Sequence, residues 1–268
     1  MLHAIIRKTL ADGIYMDIQA LKNKWLEEEQ CAHIHGWDFS HIHGRYSEED
    51  DLPWDYRQVI TEYLTEDMDL LDYDTGGGEF LLSLGHPYEH TTATEGFPPN
   101  VELCRNTLEP LGIRFSECSD ASHIPFEDNS FDIILNRHGD FDASETFRLL
   151  KKRGIFITEQ VGDENDRDLV EMVLPGAPVP FPGLNLSTQR EIFQKAGFKI
   201  LKAEEAFRPI EFYDVGAFVW FARIIEWEFP GFSVERCFDR LLELQNIIDR
   251  DGRISGTIHR YLITAQKE

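Results

Sequence analysis

The chain has 268 residues, 42% of them hydrophobic, enough to bury one large core or two small ones. Its 26 Lys and Arg stand against 49 Asp and Glu, a formal net charge of −23. A surface of that sign repels a phosphate backbone and an anionic bilayer, and no basic patch with interleaved aromatics offsets it, so neither nucleic acids nor membranes are expected partners.

The amino terminus, Met1 to Lys8, has no apolar run of signal-peptide length. The most apolar stretch, Val215 to Ile225, is interrupted by Arg223 and too short to span a bilayer. Cys31, Cys104, Cys118 and Cys237 are scattered without a Cys-x-x-Cys pair, which points to reduced thiols. The expectation is a soluble cytoplasmic protein, monomer or homodimer, acting on a small molecule.

Ile18, Leu21, Trp25 and Leu26 recur at helical spacing and predict an amphipathic helix over residues 15–29. The next stretch, 31–45, concentrates Cys31, His33, His35, His41 and His43 among glycines and aromatics. Cys31, His33 and His35 with His41 or His43 would be the metal reading, but the alternate spacing matches no zinc knuckle. No metal is expected, and the segment reads as a lid over a ligand site. Pro53 starts a helix over 52–64, close to Trp54 and Tyr56. Residues 1–64 thus read as an N-terminal helical and lid segment, and 65–268 as the main domain.

Residues 68–73 predict a buried strand that runs into the turn Asp74-Thr75-Gly76-Gly77-Gly78 and then a helix from Glu79. Glycines there let the backbone approach a ligand at the carboxyl end of the strand, where open α/β sheets bind ligands. A dinucleotide fingerprint would use Gly76 and Gly78, but its third glycine falls on Leu81. A phosphate loop would end in Gly-Lys-Ser/Thr, and this turn has no lysine. Its side chains are instead acidic: Asp72, Asp74 and Glu79. Carboxylates repel phosphate and accept hydrogen bonds from ammonium, so a ligand with a cationic end is favoured, and S-adenosylmethionine is one.

Strands and helices alternate from here, which predicts a parallel sheet. A second strand, 89–95, ends on Glu95, twenty-three residues past Asp72, where a carboxylate can accept from both hydroxyls of a ribose. A helix to about Leu111 leads to a third strand, 113–118, then to Asp120, placed to accept from an adenine amino group. Strands at 131–136 and 155–159 follow, separated by a helix at 143–150 and a turn at Arg153-Gly154. Four prolines in 172–186 mark a cover, an insertion of about 163–190. Helices over 187–197, 215–227 and 234–250 and strands over 198–206 and 256–265 complete the chain.

The glycine turn, Glu95, Asp120-Ala121, and above all Ile124-Pro125-Phe126-Glu127-Asp128-Asn129-Ser130-Phe131-Asp132 followed by Leu149-Leu150-Lys151-Lys152-Arg153-Gly154, resemble class I S-adenosylmethionine-dependent methyltransferases of the small-molecule type. The resemblance is strong from Asp69 to Gly162. Asn136-Arg137-His138, Thr158 to Gly162 and Asp214 to Ala217 further resemble an uncharacterised bacterial subgroup. The family implies a Rossmann-like three-layer α/β sandwich with a seven-stranded, mostly parallel sheet and an antiparallel last strand. By position it places Asp72, Asp74, Gly76, Gly77 and Gly78 by the methionine part of S-adenosylmethionine, Glu95 at the ribose, Asp120 and Ala121 at the adenine, and Asn136 near the sulfonium. Asp74 stands where the family usually has its first glycine.

His138, just past the fourth strand, is the candidate base, and Arg137 beside it could bind a substrate carboxylate or pair with Asp140 or Asp142. Glu159, Gln160 and Asn165 are candidates to line the acceptor pocket, and Trp227 and Phe229 to wall it. Two other readings stay open: a non-catalytic protein that holds S-adenosylmethionine, and a nicotinamide-dependent reductase.

Overall fold

The computed structural model describes residues 8–9, 15–33, 38–48 and 51–268. The chain divides into two compact units. The first comprises 1–49, 166–180 and 209–258, and the second 50–165, 181–208 and 259–268. In chain order the elements begin with β1 (Lys8–Thr9), β2 (Tyr15–Met16), α1 (Ile18–Cys31), β3 (Tyr46–Glu48), α2 (Tyr56–Thr61), β4 (Leu70–Tyr73), α3 (Glu79–Ser83), β5 (Thr91–Glu95), α4 (Pro98–Thr107) and β6 (Arg114–Glu117). They continue as β7 (Phe131–Arg137), α5 (Ala143–Leu149), β8 (Leu150–Val161), α6 (Arg167–Val173), α7 (Leu186–Lys195), β9 (Phe198–Phe212), α8 (Val215–Ile224), α9 (Val234–Asp251) and β10 (Ile254–Lys267).

The second unit is a sheet with a helical layer on each face. Its strand order is β9-β10-β8-β7-β4-β5-β6. The run β8-β7-β4-β5-β6 is parallel, while β10 pairs antiparallel with β8, Leu262 opposite Glu159. Side chains alternate across the strands as a pleat requires. Leu70, Ala93, Ile133 and Ile157 join one core with α2, α3 and α4, while Leu71, Ile134, Phe156 and Ile263 join the other with Leu149 of α5 and Phe193 of α7. Because β4 is buried on both faces, it reads as the apolar run Leu70-Leu71 rather than as an alternation.

The first unit is mainly helical. Asp17 caps α1 by accepting from Gln19 and Ala20, and Ser233 caps α9 by accepting from Arg236. α8 is buried from Val215 to Ala222, as its all-round apolarity requires, and packs Phe218 and Trp220 into a core with Phe212, Phe229 and Phe232. In this unit β3 pairs antiparallel with residues 210–212 of β9, an eighth strand of that sheet among the described residues where seven are expected. Periodicity undercounts here because β3 is three residues long.

Several boundaries differ from the sequence reading. β8 begins at Leu150, and the expected turn at Arg153-Gly154 lies inside the strand as an irregularity: the register shifts between Phe131 and Ile133, and Arg153 takes φ +67°. β9 runs six residues past Ala206. Of the expected cover, 166–180 belong to the first unit and contain α6. Among the described residues no helix is long and apolar enough to cross a membrane.

Candidate active site

Every element that carries the site belongs to the second unit. β4 delivers the chain into a turn in which Asp74, Gly76 and Gly78 have φ of +61°, +65° and +82°. The left-handed region is the ordinary habitat of glycine, with Asp among the few side chains that also enter it, which explains why Asp74 can occupy a glycine place. At Gly78 the positive φ favours glycine, and a Cβ would fall 2.9 Å from the Leu108 side chain, which would have to shift. The turn is fastened from β5 and α4: Thr75 N–H donates to Thr94 O at 2.9 Å, Gly76 N–H to Glu95 Oε2 at 2.7 Å, and Cys104 Sγ to Gly76 O at 3.2 Å.

Glu95 is 2% exposed at the end of β5. Its other oxygen accepts from the Gly96 and Phe97 amides, both at 2.8 Å. Asp72 is buried below the turn and accepts from Thr75 Oγ1 at 2.5 Å. Burial, and then the negative charges of Asp74 and Glu95, push the Asp72 carboxyl up to about 7. Asp74 is raised as well, by its crowded surroundings and by Glu95, although it stands at an exposed position where solvent limits the shift. Among the described residues no Lys or Arg forms an ion pair with these three carboxylates. Crowded like charges without a Lys or Arg beside them are what a cationic ligand relieves.

Gly96, which the sequence reading passes over, has no room for a side chain: a Cβ would lie 2.6 Å from Cys118 O and from Ser119 Cα. The loop carrying Asp120 therefore packs directly against the end of β5. Asp120 is exposed and its Oδ1 accepts from Ser122 N and Oγ at 2.9 and 2.6 Å, which holds the carboxyl below its ordinary range. Ala121 packs half-buried against the core beneath.

The ends of β7 and β8 form a second group. Asn136 is fully buried; its Nδ2 donates to Tyr73 O at 3.0 Å and its Oδ1 accepts from Gln160 Nε2 at 2.6 Å. Arg137 pairs with neither Asp140 nor Asp142: its Nε donates to Glu159 Oε1 at 2.8 Å, and its guanidinium lies 5.7 and 5.6 Å from the Tyr56 and Phe80 ring centres. Glu159 is 3% exposed, and its second oxygen accepts from Trp54 Nε1 at 2.7 Å. His138 has φ +59°, donates its amide to Glu159 O at 2.9 Å, and holds Nε2 3.6 Å from Glu159 Oε1. Crowding of the ring, then the charges of Arg260 and Arg137, lower its pKa, although the side chain is 36% exposed and solvent limits the shift.

Beside this group lies a cavity of about 720 Å³, walled by Trp54, Tyr56, Phe80, Arg137, Glu159 and Lys202 among others. Its volume suits a small molecule. His138, Gln160 and Asn165 do not line it; Asn165 instead accepts from His259 N and Arg260 Nη1. Trp227 and Phe229 belong to the first unit. Trp54 is a site residue that the sequence reading names only with the helix that Pro53 starts. Its signal would have been an indole, which needs an acceptor when buried, just after a proline.

Residues 71–158 match the family model of a methyltransferase domain. This stretch is thus similar to methyltransferase domains. It spans the chain from β4 to β8 and contains the glycine turn, Glu95, Asp120 and Asn136. Solved structures with this fold include a candidate methyltransferase of Bacillus halodurans C-125, 18% identical with a TM-score of 0.56 over 80% of this chain and 98% of that one. The YcgJ protein of Bacillus subtilis is 20% identical, TM-score 0.53, over 80% and 97%. A functionally unknown protein of Deinococcus radiodurans R1 is 14% identical, TM-score 0.52, over 86% and 97%. No curated protein matches the chain. Use of S-adenosylmethionine is what the methyltransferase domain implies, and the uncompensated carboxylates of its glycine turn fit that cationic ligand.

Proposed function

We propose that the protein is an S-adenosylmethionine-dependent methyltransferase acting on a small-molecule acceptor. The observation that carries this reading is the glycine turn fastened to Glu95, with Asp72 and Asp74 beside it and no basic partner, inside a methyltransferase domain. S-adenosylmethionine, when bound, supplies an electrophilic methyl group on a sulfonium that is already a good leaving group. The residues then have to bind, orient and exclude water.

In this reading Glu95 takes the ribose hydroxyls, Asp72 and Asp74 take the ammonium, and Asp120 with the Ala121 backbone takes the adenine. Asn136, locked by Tyr73 and Gln160, fixes the wall by the sulfonium. The acceptor occupies the cavity walled by Trp54, Phe80 and Arg137, and Glu159 aims the Arg137 guanidinium at an acceptor carboxylate. His138, at the end of β7 beside Glu159, stands outside the wall of that cavity, so it serves as proton acceptor only for an acceptor that reaches beyond that wall.

Calorimetric titration of the purified protein with S-adenosylmethionine, its demethylated product and NADH tests the cofactor. Binding of the first two but not of NADH supports the reading; NADH binding alone overturns it in favour of a reductase. Tight cofactor binding with no methyl transfer across a broad acceptor panel would instead favour a non-catalytic binding protein.

A further inference from the structure

Three side chains of the first unit, none of them assigned a part in methyl transfer, converge with the chemistry of metal ligands. Glu28 and Cys31 sit three positions apart on α1, hence on one face of the helix. The short 3₁₀ turn at Ser40–Ile42 brings His41 onto that face. His41 Nε2 lies 2.8 Å from Glu28 Oε2 and 3.6 Å from Cys31 Sγ, and Sγ lies 4.0 Å from Oε2. Four-coordinate zinc with bonds of about 2.0 to 2.3 Å sets its ligand atoms roughly 3.3 to 3.6 Å apart. The three edges bracket that range, so shifts of a few tenths of an ångström would close the triangle around one ion.

The surroundings hold these ligands in place. Glu28 Oε1 accepts from Arg45 Nη2 at 2.7 Å, and Arg45 forks onto Asp214 through Nε and Nη2 at 2.8 and 2.7 Å. Asp214 in turn caps α8 by accepting from Ala217 N. A Cβ on Gly216 would lie 2.8 Å from Arg45 Nη2 and 3.2 Å from Glu28 Cγ, so a glycine lets this arrangement approach the start of α8. The His41 ring stacks on Trp220 with centroids 5.3 Å apart. Outer contacts of this kind fix ligand orientation at metal sites. Charge also balances: Arg45 and Asp214 cancel, and Glu28 with a Cys31 thiolate would cancel a divalent ion.

We propose that Glu28, Cys31 and His41 form a divalent-cation site of the zinc class, tying the end of α1 to the turn that carries His41. The mixed nitrogen, sulfur and oxygen set suits zinc over calcium or magnesium. On binding, the Cys31 thiol gives its proton to the buffer as the sulfur–metal bond forms. His41 is 43% exposed, so water can complete the coordination. The sequence reading set a metal aside because the alternate spacing of Cys31, His33 and His35 with His41 or His43 matches no zinc knuckle, and Glu28 is outside that set; His35 lies outside the described residues.

The test is titration of the chelator-stripped full chain with Co²⁺, followed by absorbance, in the wild type and in Cys31→Ser, His41→Ala, Glu28→Gln and His43→Ala. The expected result is one equivalent bound, with a thiolate-to-cobalt band that Cys31→Ser abolishes. Affinity should fall about tenfold or more in His41→Ala and Glu28→Gln, and His43→Ala should match the wild type. Far-ultraviolet circular dichroism of each variant distinguishes a lost site from a lost fold. No saturable cobalt binding by the wild type, or an unchanged thiolate band in Cys31→Ser, would overturn the site, as would a loss in His43→Ala equal to that in His41→Ala.

Discussion

Gly76 N–H donates to Glu95 Oε2 at 2.7 Å, so the carboxylate at the end of β5 also fastens the turn at the end of β4. One residue therefore shapes the loop and offers its remaining lone pairs to a ligand. Glu95→Ala should lower affinity for S-adenosylmethionine by at least about tenfold, and it should also cost roughly 1 to 3 kcal/mol of stability, because the Gly76 and Gly96 amides lose their acceptor. Glu95→Gln keeps one acceptor oxygen and should fall between the two. Calorimetry and urea unfolding on the same samples check both effects.

The second prediction concerns pH. Asp72 has an ordinary carboxyl value of 3.8, raised to about 7 in the folded protein. Between these values the native state holds a proton that the unfolded chain has released, so stability falls as pH rises from about 4 to about 7 and is level above. Asp72→Asn removes this slope and should stabilise the ligand-free protein by roughly 1 to 4 kcal/mol at pH 8. The same variant should bind S-adenosylmethionine more weakly, since an ammonium loses its anionic partner. A variant no more stable than the wild type at pH 8 would count against a buried, protonated Asp72.

Trp54→Phe is expected to be costly despite its conservative shape. It leaves Glu159 Oε2 buried without its indole donor, a loss of about 1 to 3 kcal/mol. Because Glu159 also orients Arg137, the Michaelis constant for an acceptor carboxylate should rise in this variant, while cofactor affinity measured by calorimetry stays near the wild-type value.

His138→Ala should reduce turnover by about a hundredfold or more if its ring takes the acceptor proton. Its lowered pKa keeps it neutral below the ordinary histidine value of 6.5, so any acid limb of kcat/KM owed to His138 should appear below that pH. Near-normal turnover in the variant would remove it as the base and leave positioning as the main source of rate.

Legibility in the sequence followed from locality. The run from Leu70 through Gly78 to Glu95 is contiguous, so strand, turn and acidic end could be read in order and placed on one sheet edge. The pairing of Trp54 with Glu159 joins residues 105 positions apart, and Asn136 reaches Tyr73 across 63. Neither leaves a trace in spacing. Gly96 likewise looks like an ordinary loop glycine until the Ser119 backbone is seen to occupy the space of its missing side chain. Arg137 reads in sequence as open to a substrate carboxylate or to pairing with Asp140 or Asp142, yet the fold pairs it with Glu159 of the adjacent strand.

The order in which the chain visits its two units sets how the protein can be cut. The backbone passes from one to the other at residues 49–50, 165–166, 180–181, 208–209 and 258–259, and two of these crossings fall inside β9 and β10. A fragment beginning at residue 65 would discard α1 from one unit and α2 from the other. No single contiguous piece shorter than 50–268 contains the whole of the second unit, and that piece still carries incomplete remnants of its companion. Domain exchange between homologues by simple terminal swapping is therefore closed to this chain, and recombination would need matched junctions at all five crossings.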